Sequence, residues 1–312
     1  MTTGNITGDG QQKAVQQISC SSYLTAGIHS HLTFLSVLNS FLSIAAFFGN
    51  TLILVALHKE SSLHPPSKLL LRTLATTDLC VGLISEPLTV IYWISEMNEH
   101  WNICRFVLSA GMLTASILCS VSLLTLSAIC MDRLLALLLR LQYRQVVTLK
   151  RTYVMVITIW IVSTVFTAMQ YWNPLINSWY WIIVIQFCLV TSILSYTKIF
   201  STLRHHQNQV QGHAPQPNQT NQLNIARYKK ALNSAIWLQL TLVACYFPYF
   251  VALTLWTIRG VSSSVYQASI YSTTLVYLNS SLNPILYCWK LVQVRQAVKD
   301  TIRQALSFCF ST

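Results

Sequence analysis

From Phe106 to Met131 the chain carries no charged residue. An uncharged, mainly apolar run of that length exceeds the roughly 20 residues that cross a bilayer as a helix, so it predicts a long, tilted membrane span. Ser109, Ser116, Ser120 and Ser127 punctuate it, together with Ala110, Gly111, Ala115 and Ala128. Small residues occur where membrane helices approach closely, so this span is expected to be the packed hub of a bundle. It ends at Asp132-Arg133, an adjacent acid and base where the apolar run stops, and charges there must pair, snorkel or act.

Six further apolar segments flank the hub, at about 32–57, 69–94, 153–171, 179–200, 231–256 and 265–289. With 53% hydrophobic and only 9% charged residues, and a mean hydropathy of +0.50, the chain is not a soluble domain. The segments do not alternate as barrel strands do, so an all-α membrane protein is expected, a seven-helix bundle over 32–289. Residues 1–31 form a polar tail outside, and 290–312 an amphipathic helix and tail inside. Of the 20 Lys and Arg, 17 fall on one side of this bundle and only Lys13, Arg105 and Arg259 on the other. Positive residues stay in the cytosol, so the N-terminus faces outward and the chain is a multi-pass protein of the plasma membrane. The net charge of +12 is then an orientation signal and an attraction to membrane lipid, not a sign of nucleic acid. Residues 1–30 have no apolar core, so the first helix is expected to serve as the insertion signal.

Several polar features need partners. Asn50 follows Gly49 in the first segment and is expected to hydrogen-bond to a neighbouring helix. His64-Pro65-Pro66 is expected to stop that helix. Asp78 lies deep in the second segment, where a lone carboxylate costs at least about 2.5–3.5 kcal/mol, so it requires a cation, donors or a proton. Glu86 has two readings, a ligand-cavity wall or an interfacial acid; Glu96 and Glu99 are expected at the outer rim. The seventh segment places Asn279, Asn283 and Tyr287 at i, i+4 and i+8 on one face, with Pro284 between them, and Asp78 is the natural group for that face to meet. Pro248, after Cys245-Tyr246-Phe247, is either a static kink or a hinge. Residues 205–224, rich in Gln, Asn and Pro, predict a flexible cytoplasmic linker. Val294, Val298 and Ile302 alternate with Arg295, Lys299 and Arg303 at helical spacing, which predicts a helix along the inner leaflet.

Of nine cysteines, six lie within the spans and read as small buried residues. Cys20 and Cys104 lie outside, where a disulfide between them would staple the tail across the mouth of the bundle; two separate thiols are the other reading. Asn5-Ile6-Thr7 is a glycosylation acceptor on the outer side, and Cys309 a palmitoylation candidate at the inner leaflet.

Taken together, Gly49-Asn50, Leu74-Ala75 to Asp78, Asp132-Arg133, Trp160, Tyr196, Phe247-Pro248 and Asn283-Pro284 to Tyr287 resemble the rhodopsin-like (class A) G-protein-coupled receptors, in order and spacing, from Leu32 to Phe310. The resemblance implies an extracellular ligand, a heterotrimeric G protein as partner and arrestin as a second. It implies that Arg133 receives the G protein and meets Tyr196 and Tyr287 in the active state, and that Pro248 is the pivot. Asp78, Ser122, Asn279 and Asn283 would hold an allosteric sodium ion, and no enzymatic cofactor is expected. Tyr246 stands where the family usually has Trp, and Tyr228 where an acid often restrains Arg133, which implies elevated ligand-independent signalling. Leu108 replaces the usual cysteine, the second outer loop is short and the fifth helix lacks proline, similar to the melanocortin branch and to its adenosine, cannabinoid and lysophospholipid relatives.

Ala115 stands where amine receptors carry an aspartate, and the expected pocket of Glu86, Met112, Ala115, Ser116, Cys119, Phe250, Leu253 and Tyr277 is mostly neutral. This favours a lipid-like or small neutral ligand, with a basic peptide as the other reading. The competing class is a transporter or channel, but only one acid lies at mid-depth and no internal repeat is present. An enzyme would need clustered acids or histidines at one depth, and all eight histidines lie at segment ends or in loops.

Overall fold

A computed structural model describes residues 19–21, 27–59, 63–139, 142–212, 219–260, 262–290 and 292–310, with the side chains of 137, 174, 196, 199, 203, 205–236, 238, 239, 290, 292, 293 and 305–310 outside that description. Among the described residues there is no β-strand. The first crossing is α1 (His29–Lys59). The second is built from α2 (Pro65–Cys80), a π-helical turn (Val81–Ser85) and α3 (Glu86–Met97). The hub is α4 (Trp101–Leu139), followed by the short cytoplasmic α5 (Tyr143–Val146). Then come α6 (Leu149–Ala168), α7 (Pro174–Gly212), α8 (Gln219–Arg259) and α9 (Ser263–Lys290). The amphipathic α10 (Val292–Phe310) closes the chain.

Local chemistry explains several boundaries. Pro65 and Pro66 occupy the first turn of α2, where a missing N–H leaves no bond unmade, so the proline pair opens the second helix and does not end the first. The Asn173 side chain accepts the Leu175 N–H at 2.9 Å and starts α7 at Pro174. Only Trp172 and Asn173 separate α7 from the 3₁₀ turn that ends α6. The π turn lies just before Pro87, whose ring lacks a donor and crowds the preceding turn; the Glu86 N–H reaches back five residues to the Val81 carbonyl. Within the stretch 205–224, α7 runs on to Gly212 and α8 begins at Gln219, and residues 213–218 lie outside the described residues.

Among the described residues, six stretches are long and apolar enough to cross a membrane. In α9 the dense polar residues Asn279, Ser280, Ser281 and Asn283 lower the apolarity, yet they are all buried. The hub is as packed as its small residues predict, with 61% of its apolar window buried against 22% for α6. Conversely Phe34, Phe41 and Phe48 recur every seven residues on the outer face of α1 and stay 60–67% exposed, an apolar stripe suited to lipid. The second crossing closes on α1 at its π turn through Gly82, whose carbonyl accepts the Ser43 hydroxyl at 2.6 Å. A β-carbon on Gly82 would lie 2.8 Å from that of Ala46. Asn50 donates across to the Ser280 carbonyl at 3.1 Å. α10 buries Val294, Ala297 and Val298 and turns Lys299 and Arg303 outward, and Gln304 accepts the Lys59 ammonium at 2.6 Å.

Candidate functional site: a chamber, a polar cage and a cytoplasmic latch

The outer half of the bundle encloses a chamber of about 530 Å³ between the second, third, fifth, sixth and seventh crossings. Of the residues named from sequence, Met112, Ala115, Ser116, Cys119, Leu253 and Tyr277 line it. Glu86 and Phe250 do not. Phe250 is half-buried against the core and stacks on Phe247, itself 51% exposed, while Tyr249 reaches the chamber instead. Glu86 is fully buried beyond the π turn, with neither carboxylate oxygen partnered. Trp93, Trp181, Tyr249 and Trp256 are among the wall residues that sequence reasoning missed. Their signal was present on α8 alone, where Tyr249, Leu253 and Trp256 recur at helical spacing.

Ahead of α1, the described residues Ser19–Ser21 lie at the chamber's outer end. Cys20 is disulfide-bonded to Cys104 at the top of α4, and Ser19 contributes to the lining. Tyr92 donates to the Ser19 carbonyl at 3.3 Å and lies 3.2 Å from the Tyr266 hydroxyl, which donates to Glu96 at 2.6 Å. Glu96 is therefore buried at 1% exposure and not a rim acid; the exposed acid there is Glu99. No Asp, Glu, Lys, Arg or His lines the chamber among the described residues.

Below the chamber, Asp78 is enclosed by three donors from two other helices. Its Oδ1 accepts Ser122 at 2.8 Å and Ser280 at 2.9 Å, and its Oδ2 accepts the Asn283 amide at 2.7 Å. Ser280 takes the place expected for Asn279, whose amide is buried with both polar atoms unpartnered. The i, i+4 pattern missed this because a serine one residue on also reaches the carboxylate. The Asn283 carbonyl oxygen and the Tyr287 hydroxyl are likewise buried and unpartnered. This set of hard oxygen atoms around one carboxylate fits a small cation. Tyr246 sits at 1% exposure between cage and chamber, and Pro248 lies within the unbroken α8.

At the cytoplasmic end Asp132 is 4% exposed and holds Arg133 with Nε at 3.9 Å. The carboxylate is clamped from two further elements: Ser67 of α2 donates at 2.8 Å and Tyr143 of α5 at 2.6 Å. Burial and the hydrogen bond to Asp132 push the Tyr143 phenol up to about 12, so it remains a donor at physiological pH. Neither partner was singled out from sequence. The side chains of Tyr196, Tyr228 and Cys309, and all of Asn5, lie outside the described residues.

The family model for the 7 transmembrane receptor (rhodopsin family) matches residues 49–177 and 167–287, and the chain belongs to that family. It is a G-protein-coupled receptor, a multi-pass protein of the plasma membrane that couples an extracellular ligand to a G protein. Among similar proteins, the rat (Rattus norvegicus) histamine H2 receptor is 25% identical over 278 residues, 81% of this chain and 75% of its own. The rat melanocortin receptor 5 is 26% identical over 280 residues, 84% of this chain and 82% of its own. The 5-hydroxytryptamine receptor 1E of Pan troglodytes is 28% identical over 114 residues, 36% of this chain and 31% of its own. These relatives are receptors and not enzymes, and a transporter or channel is not favoured.

Proposed function

We propose that the chamber receives an uncharged, small or lipid-like ligand from the extracellular side. One observation carries this reading: the described lining holds aromatic, aliphatic, hydroxyl and amide groups but no ionisable acid or base other than phenols and a thiol. An ammonium ion entering it would lose its water and gain no counter-charge. The histamine and serotonin named in two relatives are amines, and Ala115 offers an ammonium no partner. Among the described residues of the outer rim a basic peptide finds one exposed acid, Glu99, because Glu96 is buried.

Ligand contact with Tyr249, Leu253 and Trp256 bears on the outer half of α8, and Pro248 lets the inner half swing away from the hub. That movement frees Arg133 from Asp132 for the G protein, with arrestin a second partner of the opened face. Asp78, Ser122, Asn283 and Asn279 hold a sodium ion in the resting state, with Ser280 as an additional oxygen donor. The ion supplies positive charge to the buried carboxylate and joins α2, α4 and α9.

The test is guanine-nucleotide exchange by purified receptor in vesicles, read on several G-protein families against neutral lipids, biogenic amines and basic peptides. Exchange raised by a neutral compound is the expected outcome. A response confined to amines or basic peptides refutes the neutral-ligand reading.

A further inference from the structure

At the chamber's outer end one acid stands apart from both the ligand and the polar cage. Glu96 is 1% exposed, its Oε1 has no partner, and its Oε2 accepts a single hydrogen bond, from Tyr266 at 2.6 Å. No Lys, Arg or His is buried among the described residues. The titratable groups that act on Glu96 are Tyr266 from α9 and Tyr92 from its own helix. From α4, Cys104 is held in the disulfide and Arg105 is exposed; from α1, His29 is exposed and His31 is paired with Tyr271 at 2.6 Å. Glu99 and His100, just beyond the helix end, are exposed as well. A carboxylate deprived of water, with one donor and no cation, is costly to keep ionised, and a proton from the extracellular side relieves that cost.

What that proton does follows from how many hydrogens the hydroxyls have to give, which is one for each phenol. While Glu96 is ionised, Tyr266 spends its hydrogen on the carboxylate, so in the 3.2 Å contact between the two phenols Tyr92 is the donor. Tyr92 therefore divides one hydrogen between Tyr266 and the Ser19 carbonyl, 3.3 Å away. We infer that Glu96, Tyr266 and Tyr92 form a relay that carries extracellular acidity to the seat of Ser19. When Glu96 takes up a proton, its new O–H donates to Tyr266, the Tyr266 hydroxyl turns to donate to Tyr92, and Tyr92 gives its hydrogen wholly to Ser19. One proton enters at Glu96 and none leaves, because the two phenols only reorient. Ser19, Tyr92 and Tyr266 all line the chamber, and Ser19 adjoins the Cys20–Cys104 disulfide. Acid outside the cell thus tightens the chamber's outer end and alkali loosens it, whichever ligand the chamber takes.

The test is amide hydrogen exchange of the Ser19–Ser21 stretch in purified full-length protein, across about pH 5 to 8. Neither ligand nor G protein is needed, so a failure here is separate from a failure of the nucleotide-exchange assay. Each rate is divided by that of Glu96→Gln at the same pH, so the intrinsic catalysis of exchange cancels. Gln has an N–H to give and an oxygen that accepts, and so mimics the protonated acid at every pH. The wild-type ratio is expected to lie near unity at the acid end and to be about threefold to tenfold higher at the alkaline end. Tyr92→Phe, which cannot hold Ser19, should exchange about threefold to tenfold faster than Glu96→Gln at both ends. Tyr266→Phe cuts the relay between Glu96 and Tyr92 and should flatten the ratio across the whole range. If Tyr266→Phe does not fold, the wild type, Glu96→Gln and Tyr92→Phe still decide. The relay is overturned if the wild-type ratio is constant with pH or falls toward alkali, if Tyr92→Phe keeps the wild-type pH dependence, or if folded Tyr266→Phe keeps it.

Discussion

At the scale of single residues, Asp132 shows how a charge at the membrane edge is kept in one conformation. Arg133 is 35% exposed and its contact with Asp132 is long, so the pair by itself contributes little. What holds the carboxylate in place is the pair of hydroxyls from α2 and α5. Tyr143→Phe removes one of them and keeps the ring, and is expected to raise ligand-independent nucleotide exchange by roughly threefold to tenfold. Exchange equal to wild type at matched receptor density would show that the clamp does not restrain Arg133. Gly82 makes the complementary case for packing. A β-carbon there lies 2.8 Å from the Ala46 side chain and 3.0 Å from the Ser43 carbonyl oxygen, backbone that cannot move aside. Gly82→Ala is expected to cost about 1–3 kcal/mol and to lower the melting temperature in detergent. Gly111→Ala, whose new carbon meets Leu88 at an ordinary 3.7 Å, should melt close to wild type.

At the scale of elements, the π turn in the second crossing decides which residues face inward beyond it. It accommodates one extra residue, so everything from Glu86 onward is rotated relative to a continuous α-helix by about 100°. Tyr92, Trp93 and Glu96 are buried because of that rotation. Deleting Leu83, which is 58% exposed, should restore the α-helical repeat and turn all three out of the bundle interior. The expected result is a large fall in both melting temperature and the fraction of receptor at the cell surface; wild-type values for both would refute the role assigned to the turn. The same turn explains why the pocket could be read from sequence on one side only. On α4 the period is regular, so Met112, Ala115, Ser116 and Cys119 were legible as one face. Past Pro87 the period shifts, and the reading that placed Glu86 at a ligand wall and Glu96 at the rim assumed no shift.

At the scale of the whole molecule, the seven crossings, their orientation and the meeting of Asp78 with α9 were all legible, because bilayer thickness, Lys and Arg placement and the cost of a buried carboxylate are strong constraints. What could not be read was contact at loops and ends, such as Tyr143 on Asp132 or Ser19 under Tyr92, where no periodicity ties the partners together. The cage offers a test of the assembled bundle. If sodium joins α2, α4 and α9, replacing choline chloride by sodium chloride should raise the melting temperature, and a concentration one hundred times the dissociation constant adds about 2.7 kcal/mol. Asp78→Asn should abolish the difference. Equal sodium dependence in wild type and variant would remove the ion from the cage.

The disulfide joining Cys20 to Cys104 spans 84 residues, and the tyrosine that braces Tyr92 lies at position 266. During synthesis, then, Cys20 can meet Cys104 once the outer end of α4 is delivered, but the brace on Tyr92 is complete only with the last crossing. Until the last crossing is delivered the doorway stands ajar, and a receptor stalled at that stage is one that the oxidoreductases of the secretory pathway can still reach.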